Sequence, residues 1–234
     1  MPTLYLVRHG QGSFGTQNYD RLSPLGERQA RLLGLHLRST HNEFVGAYSG
    51  TLERQRRTAS IALSQMPYSA PSLSEHTAFD EYDAEAIASA YLPRAVRGSG
   101  RSGDARRALF SDAKLFQSTF GQILEAWVRG EPHDHPRLES WDSFRQRFRA
   151  ALSALSAAHG RRDRLLIFTS GGVIALAVQE ALGLDAQHTV RINWSVHNAS
   201  VTRVHLGRSG PRLLGFNSVD HLERAGDPAL ITFR

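Results

Sequence analysis

Leu4-Tyr5-Leu6-Val7-Arg8-His9-Gly10-Gln11 ends an apolar run in a nucleophile, a cation and a glycine. A histidine exposed at the carboxyl end of a buried strand is placed to attack an electrophile. The arginine before it can hold a phosphate through paired N–H bonds. The glycine after it lets backbone and ligand approach closely. Taken alone, Arg8-His9-Gly10 reads equally well as a strand ending in polar residues. Three further segments shift the balance.

Tyr48-Ser49-Gly50-Thr51-Leu52-Glu53-Arg54, followed by Thr58-Ala59, is the second. A helix is expected to start near Thr51, which puts Arg54 in its first turn. There a guanidinium adds to the positive helix end and its free amides, an anion-binding arrangement. Arg56 and Arg57 are expected to be solvated. The third segment is Phe79-Asp80-Glu81-Tyr82-Asp83, where the regular core pattern stops. A carboxylic acid at the mouth of a pocket can protonate a leaving alkoxide. Glu75, Asp80, Glu81 and Asp83 crowd together, and spacing does not choose among them. The fourth is Ile167-Phe168-Thr169-Ser170-Gly171-Gly172-Val173-Ile174, a buried strand feeding a glycine turn and an apolar helix.

The elements that would carry these residues alternate as in a parallel α/β sheet, with strands expected at 4–7, 44–48 and 165–169. Ser23 and Pro24 mark a helix start, Ser as N-cap and Pro in the first turn. Leu25, Ala30, Leu32, Leu33 and Leu37 form its apolar stripe. A further helix is expected from Gly171. Each follows a strand or a strand-end motif, and open α/β sheets bind ligands at the carboxyl ends of their strands. From Phe79 to Glu139 the alternation fails: Gly/Ser/Arg-rich sequence at 98–103 precedes a helical pattern over 105–128 and a polar loop with His133 and His135. This predicts a helical insertion, about 82–139, over the active face. A helix from Asp142, with Phe144, Phe148, Leu152 and Leu155, returns the chain to the core. Segments 201–206 and 212–216 read as a β-hairpin. The expected architecture is a single domain over 1–234, a three-layer α/β/α sandwich with a mostly parallel central sheet.

With 234 residues the chain can bury one sizeable core. It has no cysteine, which excludes disulfides, thiolate metal sites and thiol nucleophiles. No apolar run is long enough to cross a bilayer, and Met1-Pro2-Thr3 lacks the basic start of a signal peptide. A cytoplasmic protein with neither a membrane nor a nucleic acid as partner is expected. The net charge of +6 comes from scattered residues, nearly all arginine, with Lys114 the only lysine. Such a surface suits small anionic substrates by concentrating them.

Together the four segments resemble the histidine phosphatase superfamily, the phosphoglycerate mutase-like fold, over nearly the whole chain. Arg8-His9-Gly10-Gln11 is similar to the signature that carries the phosphorylated histidine. Leu22-Ser23-Pro24-Leu25-Gly26 with Gln29-Ala30 is similar to the first-helix motif, and Tyr48 to Ala59 to the second-arginine motif. Phe79-Asp80-Glu81 resembles the acid-bearing segment of the branch whose proton donor is a glutamate. The resemblance implies a phosphomonoesterase working through phosphohistidine on a small phosphorylated substrate. His9 and Glu81 would be catalytic, Arg8, Arg54, Gln11 and Ser170 would bind phosphate, and no metal or cofactor is needed.

The chain departs from the family at Ser170, where a second histidine usually precedes Gly-Gly. A serine hydroxyl donates one hydrogen bond and carries no charge. Two alternatives therefore stand beside the phosphatase: a very slow or non-catalytic phospho-ligand binder, and phosphoglycerate mutase-type transfer by the same residues. A serine hydrolase built on Ser170 fits less well, since Phe168 stands where a nucleophile elbow needs glycine.

Overall fold

The computed structural model describes residues 1–13, 20–40, 43–66, 70–98 and 113–233. Six strands form one sheet: β1 (Thr3–Arg8), β2 (Gly46–Ser49), β3 (Leu73–Glu75), β4 (Arg164–Thr169), β5 (Val201–Gly207) and β6 (Gly210–Ser218). Their spatial order is β3-β2-β4-β1-β5-β6. The β3–β2, β2–β4 and β4–β1 pairs are parallel, and β5 runs against both β1 and β6. The sheet is therefore mostly parallel, as the alternating pattern predicts.

Strands buried on both faces explain the unbroken apolar runs. In β1 and β4, Leu4, Leu6, Leu165 and Ile167 point into one core. Val7, Leu166 and Phe168 point into the other. Helices α1 (Pro24–Ser39) and α2 (Glu53–Ser64) cover the second core through Leu33, Leu37, Ala59 and Ala62. The first core is covered by α3 (Ala84–Gly98), α4 (Ala113–Val128), α5 (Trp141–Ala158), α6 (Gly171–Leu182) and α7 (Ala186–Ser195). A short helix α8 (Asp220–Glu223) lies near the end of the chain. Helices on both faces of one sheet make the expected three layers.

Capping sets where the helices begin. Ser23 accepts from the Gly26 amide with Pro24 in the first turn, and Ser140 accepts from the Ser143 amide. The α1 stripe divides its labour: Leu33 and Leu37 face the sheet, while Leu25 and Leu32 pack on Val219, Leu222 and Leu230 near the carboxyl end. At its start, α1 crosses the end of β1 so closely that a Cβ on Gly10 or Gly26 would overlap the other segment's backbone.

Several boundaries shift. The second helix begins at Glu53 rather than near Thr51, because the Thr51 amide and hydroxyl both bond Asp80. β2 spans Gly46–Ser49, and α5 begins one residue before Asp142. Within the expected insertion, α3 and α4 carry Ile87, Tyr91, Phe120, Ile123 and Trp127 into the first core. The 98–103 glycine-rich stretch and the start of the 105–128 pattern fall mostly outside the described residues.

Candidate active site

Parallel register brings the four segments to one edge. Arg8 pairs with Thr169 and Ser49 with Phe168. His9, Gly50 and Ser170 therefore leave the carboxyl ends of three adjacent strands. The His9 amide donates to the Thr169 carbonyl at 2.9 Å, which locks β1 to β4 one residue from Ser170. His9 is 3% exposed. Its Nδ1 lies 2.7 Å from the Gly10 carbonyl. A carbonyl can only accept, so Nδ1 holds the proton and Nε2 presents a lone pair. Burial, then the charges of Arg54 and Arg8, hold the imidazole well below its ordinary pKa.

Arg54 stands second in α2, and its Nε donates to His9 Nε2 at 3.2 Å. Asp20 fixes it there, accepting from Arg54 NH1 at 2.7 Å and from the Glu53 amide at 2.8 Å. One carboxylate thus caps the positive end of α2 and aims the guanidinium. Arg8 donates through NH1 to the Val196 carbonyl. Both arginines act on His9 and on Glu81, which places all four groups in one field.

The structure sorts the crowded carboxylates. Glu75 is exposed, 3.7 Å from Arg56. Asp80 is taken by Thr51, and Asp83 accepts from the Ala86 amide at the start of α3. Glu81 alone of the four reaches the start of α6, accepting from the Gly172 amide at 2.9 Å. A Cβ at Gly172 would overlap its Oε1. Burial raises the Glu81 carboxyl above its ordinary value against the pull of that amide and of Arg54. Such a group carries a proton more readily than a free glutamate.

Ser170 is buried at the N-cap of α6 and accepts from Gln55 Nε2 at 2.8 Å. A serine nucleophile needs a base as partner, and a carboxamide N–H is a donor, so the hydrolase arrangement is absent among the described residues. Gln11 is half-buried, and its Oε1 accepts from Ser23 Oγ at 2.8 Å. His197 lies on Asn217 and Phe233, and His133 is exposed against Tyr91. No group of three or more metal-ligating side chains occurs among the described residues.

The sequence profile described as the Histidine phosphatase superfamily (branch 1) matches residues 4–94 and 113–219, which include all of these strand ends. The chain belongs to this superfamily. No curated protein matches at the level of sequence. Among solved structures, phosphoglycerate mutase from Bacillus anthracis superposes with a TM-score of 0.65 at 20% identity, covering 97% of each chain. A phosphoserine phosphatase mutant from Entamoeba histolytica, in complex with phosphoserine, gives 0.63 at 17% identity over 95% of this chain and 100% of that one. The mycobacterial glucosyl-3-phosphoglycerate phosphatase, with VO3, gives 0.65 at 19% identity over 93% of this chain and 100% of its own. At these identities the likeness is one of fold.

Three residues of this histidine phosphatase superfamily member escape the sequence reading. Asp20 aims Arg54, and Gln55 holds Ser170. Arg147, on α5, donates to the Thr77 and Asp80 carbonyls at 3.0 Å each and pairs with Glu139 at 2.8 Å. It clamps the turn that carries Glu81. Asp20, three residues before the Ser23 cap, carried no signal of its own. Gln55 had one: a polar residue inside the motif at a position that helical spacing turns toward the sheet.

Proposed function

We propose that the protein is a phosphomonoesterase that works by double displacement through a phosphohistidine at His9. The observation that carries this reading is the His9 imidazole itself: Nδ1–H given to the Gly10 carbonyl, Nε2 left as the lone pair beside Arg54. In the first step His9 Nε2 forms a bond to phosphorus as the ester P–O bond breaks. Arg54 turns from Nε2 to the phosphoryl oxygens, and Arg8 neutralises their charge with it. Glu81 gives its proton to the departing oxygen, and burial that favours its protonated form supports that role. In the second step Glu81, now a carboxylate, takes a proton from water. The new oxygen bonds phosphorus, the P–N bond breaks, and phosphate leaves. Ser170 and Gln11 belong to the phosphate-binding set in this reading, which places the chain in the glutamate-acid branch with serine at the usual second-histidine position.

The substrate class is a small phosphorylated metabolite, and the phosphatases and the mutase among the structural relatives support it. A slow or purely binding protein is the second reading, and Ser170 is the observation that favours it. Loss of one charge-stabilising donor costs roughly 10²–10³ in rate in comparable sites. The deciding experiment is an assay of the purified protein with an aryl phosphate and a panel of phosphorylated metabolites, beside its His9→Ala variant. Phosphate release that vanishes in His9→Ala is expected. Equal release by the two proteins would refute the mechanism. Tight binding of phosphate without turnover would establish the second reading.

A further inference from the structure

Two buried polar groups stand side by side where a single charged donor is usual, and their hydrogen bond has a fixed direction. Gln55 is 0% exposed and Ser170 1%. Gln55 Nε2 donates to the Phe79 carbonyl at 3.0 Å and to Ser170 Oγ at 2.8 Å. The carbonyl can only accept, so the amide nitrogen must face it, and the same nitrogen then faces Ser170. Ser170 is thereby the acceptor of this bond, and its own O–H proton points elsewhere. No described residue receives that proton. Nor does the hydroxyl cap its helix, as Ser23 and Ser140 cap theirs.

The Gln55 carboxamide gains little for itself. Its Oε1 is buried with no hydrogen-bond partner among the described residues, an arrangement that disfavours folding. The Phe79 carbonyl does not depend on it, because Thr169 Oγ1 already donates there at 2.6 Å. What Gln55 uniquely supplies is a donor behind Ser170. We propose that Gln55 and Ser170 act as one unit, Gln55 being a positioning residue that keeps the Ser170 hydroxyl turned outward to donate to a phosphoryl oxygen on His9. This rests on the phosphohistidine reading above. It carries a steric expectation: the Gln55 carboxamide already touches the Ser170 side chain at 2.8 Å, so we expect an imidazole at position 170 to compete with it for space until Gln55 is shortened.

The test uses the full chain and kcat and KM on an aryl phosphate, with thermal unfolding as a check of fold. Gln55→Met keeps the buried volume and removes the donor. Ser170→Ala and Gln55→Met should each lower kcat by about tenfold or more with little change in KM, because the lost donor serves the transition state. The double variant should lose no more than the worse single one. Additive losses, or a Gln55→Met protein as fast as the parent, would overturn the proposal. Ser170→His alone should fall below the parent, and adding Gln55→Ala should raise its kcat by about tenfold or more. Equal rates with and without Gln55→Ala would also overturn it. If the parent shows no turnover, the phosphatase reading fails by itself. The pair is then read by calorimetry with vanadate, whose five-coordinate adduct mimics the transferring phosphoryl group: weakening in both single variants that does not add in the double supports the unit, and unchanged binding in either overturns it.

Discussion

His9 and Glu81 lie in the field of the same two arginines, yet their proton affinities move in opposite directions. Burial is the first cause for both, and it favours whichever form is neutral. The imidazole is therefore kept free of its second proton and the carboxyl is helped to keep its only one, the states a nucleophile and an acid require. The proposed mechanism needs His9 neutral, so activity should be lost only below a pKa that is itself well under the ordinary histidine value. The same mechanism needs Glu81 protonated in the first step, so activity should fall as pH rises past the raised Glu81 pKa. We expect a bell-shaped kcat/KM profile whose acid limb lies below the ordinary histidine range and whose alkaline limb lies above the ordinary glutamate range. Glu81→Gln should abolish the alkaline limb. Measured as kcat/KM, which reports the first step alone, it should slow alkyl phosphates by about 10²–10⁴ and aryl phosphates, whose leaving oxygen needs less protonation, by much less. Equal losses on both kinds of ester would take the proton away from Glu81. The sequence already marked His9, Arg8 and Arg54. Spacing could not choose among four carboxylates; the family resemblance pointed to Glu81, and the α6 amide of Gly172 is what sets it apart from its neighbours in space.

At the scale of elements, the site is a meeting of strand ends and helix starts held by crossing hydrogen bonds. The turn before Glu81 has no long strand to stiffen it, since β3 is only Leu73–Glu75. Its geometry comes from outside: Thr169 and Gln55 on the Phe79 carbonyl, and Arg147 on the carbonyls of Thr77 and Asp80. Arg147→Met keeps an unbranched side chain of similar reach and removes the clamp, together with the guanidinium that lies 4.6 Å over the Phe144 ring. It should cost about 1–3 kcal/mol in denaturant unfolding and slow alkyl esters more than aryl ones. An equal slowing of both would show a purely structural part for Arg147. Strand–turn–helix units with long apolar runs were legible because burial on both faces writes itself into sequence. β3 and α7 were not, for a three-residue strand and a half-exposed helix carry too little periodicity. The start of α2 shifted because a distant side chain, Asp80, competes for Thr51.

Across the whole molecule, two apolar cores on either face of one sheet account for the fold, and no described helix is long and apolar enough to cross a membrane. Stability should carry a histidine signature remote from the site. His221, on α8, is 5% exposed and stacks on His36 of α1 with ring centres 5.5 Å apart. Burial, then the neighbouring His36, lowers it to about 4. The unfolded chain binds this proton near pH 6.5 and the folded chain does not until about pH 4. Stability is thus retained above 6.5 and lost as pH falls, by roughly 3 kcal/mol once the folded pKa is passed. His221→Phe keeps a ring on His36. It should flatten the pH dependence of the urea midpoint between pH 7 and about 4, whatever fixed cost it adds. Parallel curves for the two proteins would place the acid sensitivity elsewhere. The layered, mostly parallel architecture was legible because the chain's chemistry recurs at strand ends; the strand order and this long-range packing of α8 on α1 were not, since no local pattern announces them.

A covalent bond between phosphorus and His9 Nε2 defines the proposed mechanism. Rapid acid-free quenching during turnover of a labelled aryl phosphate, followed by peptide mapping, reads that bond directly. The expected result is an acid-labile, alkali-stable phosphate on the peptide that contains His9, absent from His9→Ala. Label on Ser170, or substrate turnover with no labelled peptide at any quench time, would contradict the phosphohistidine mechanism.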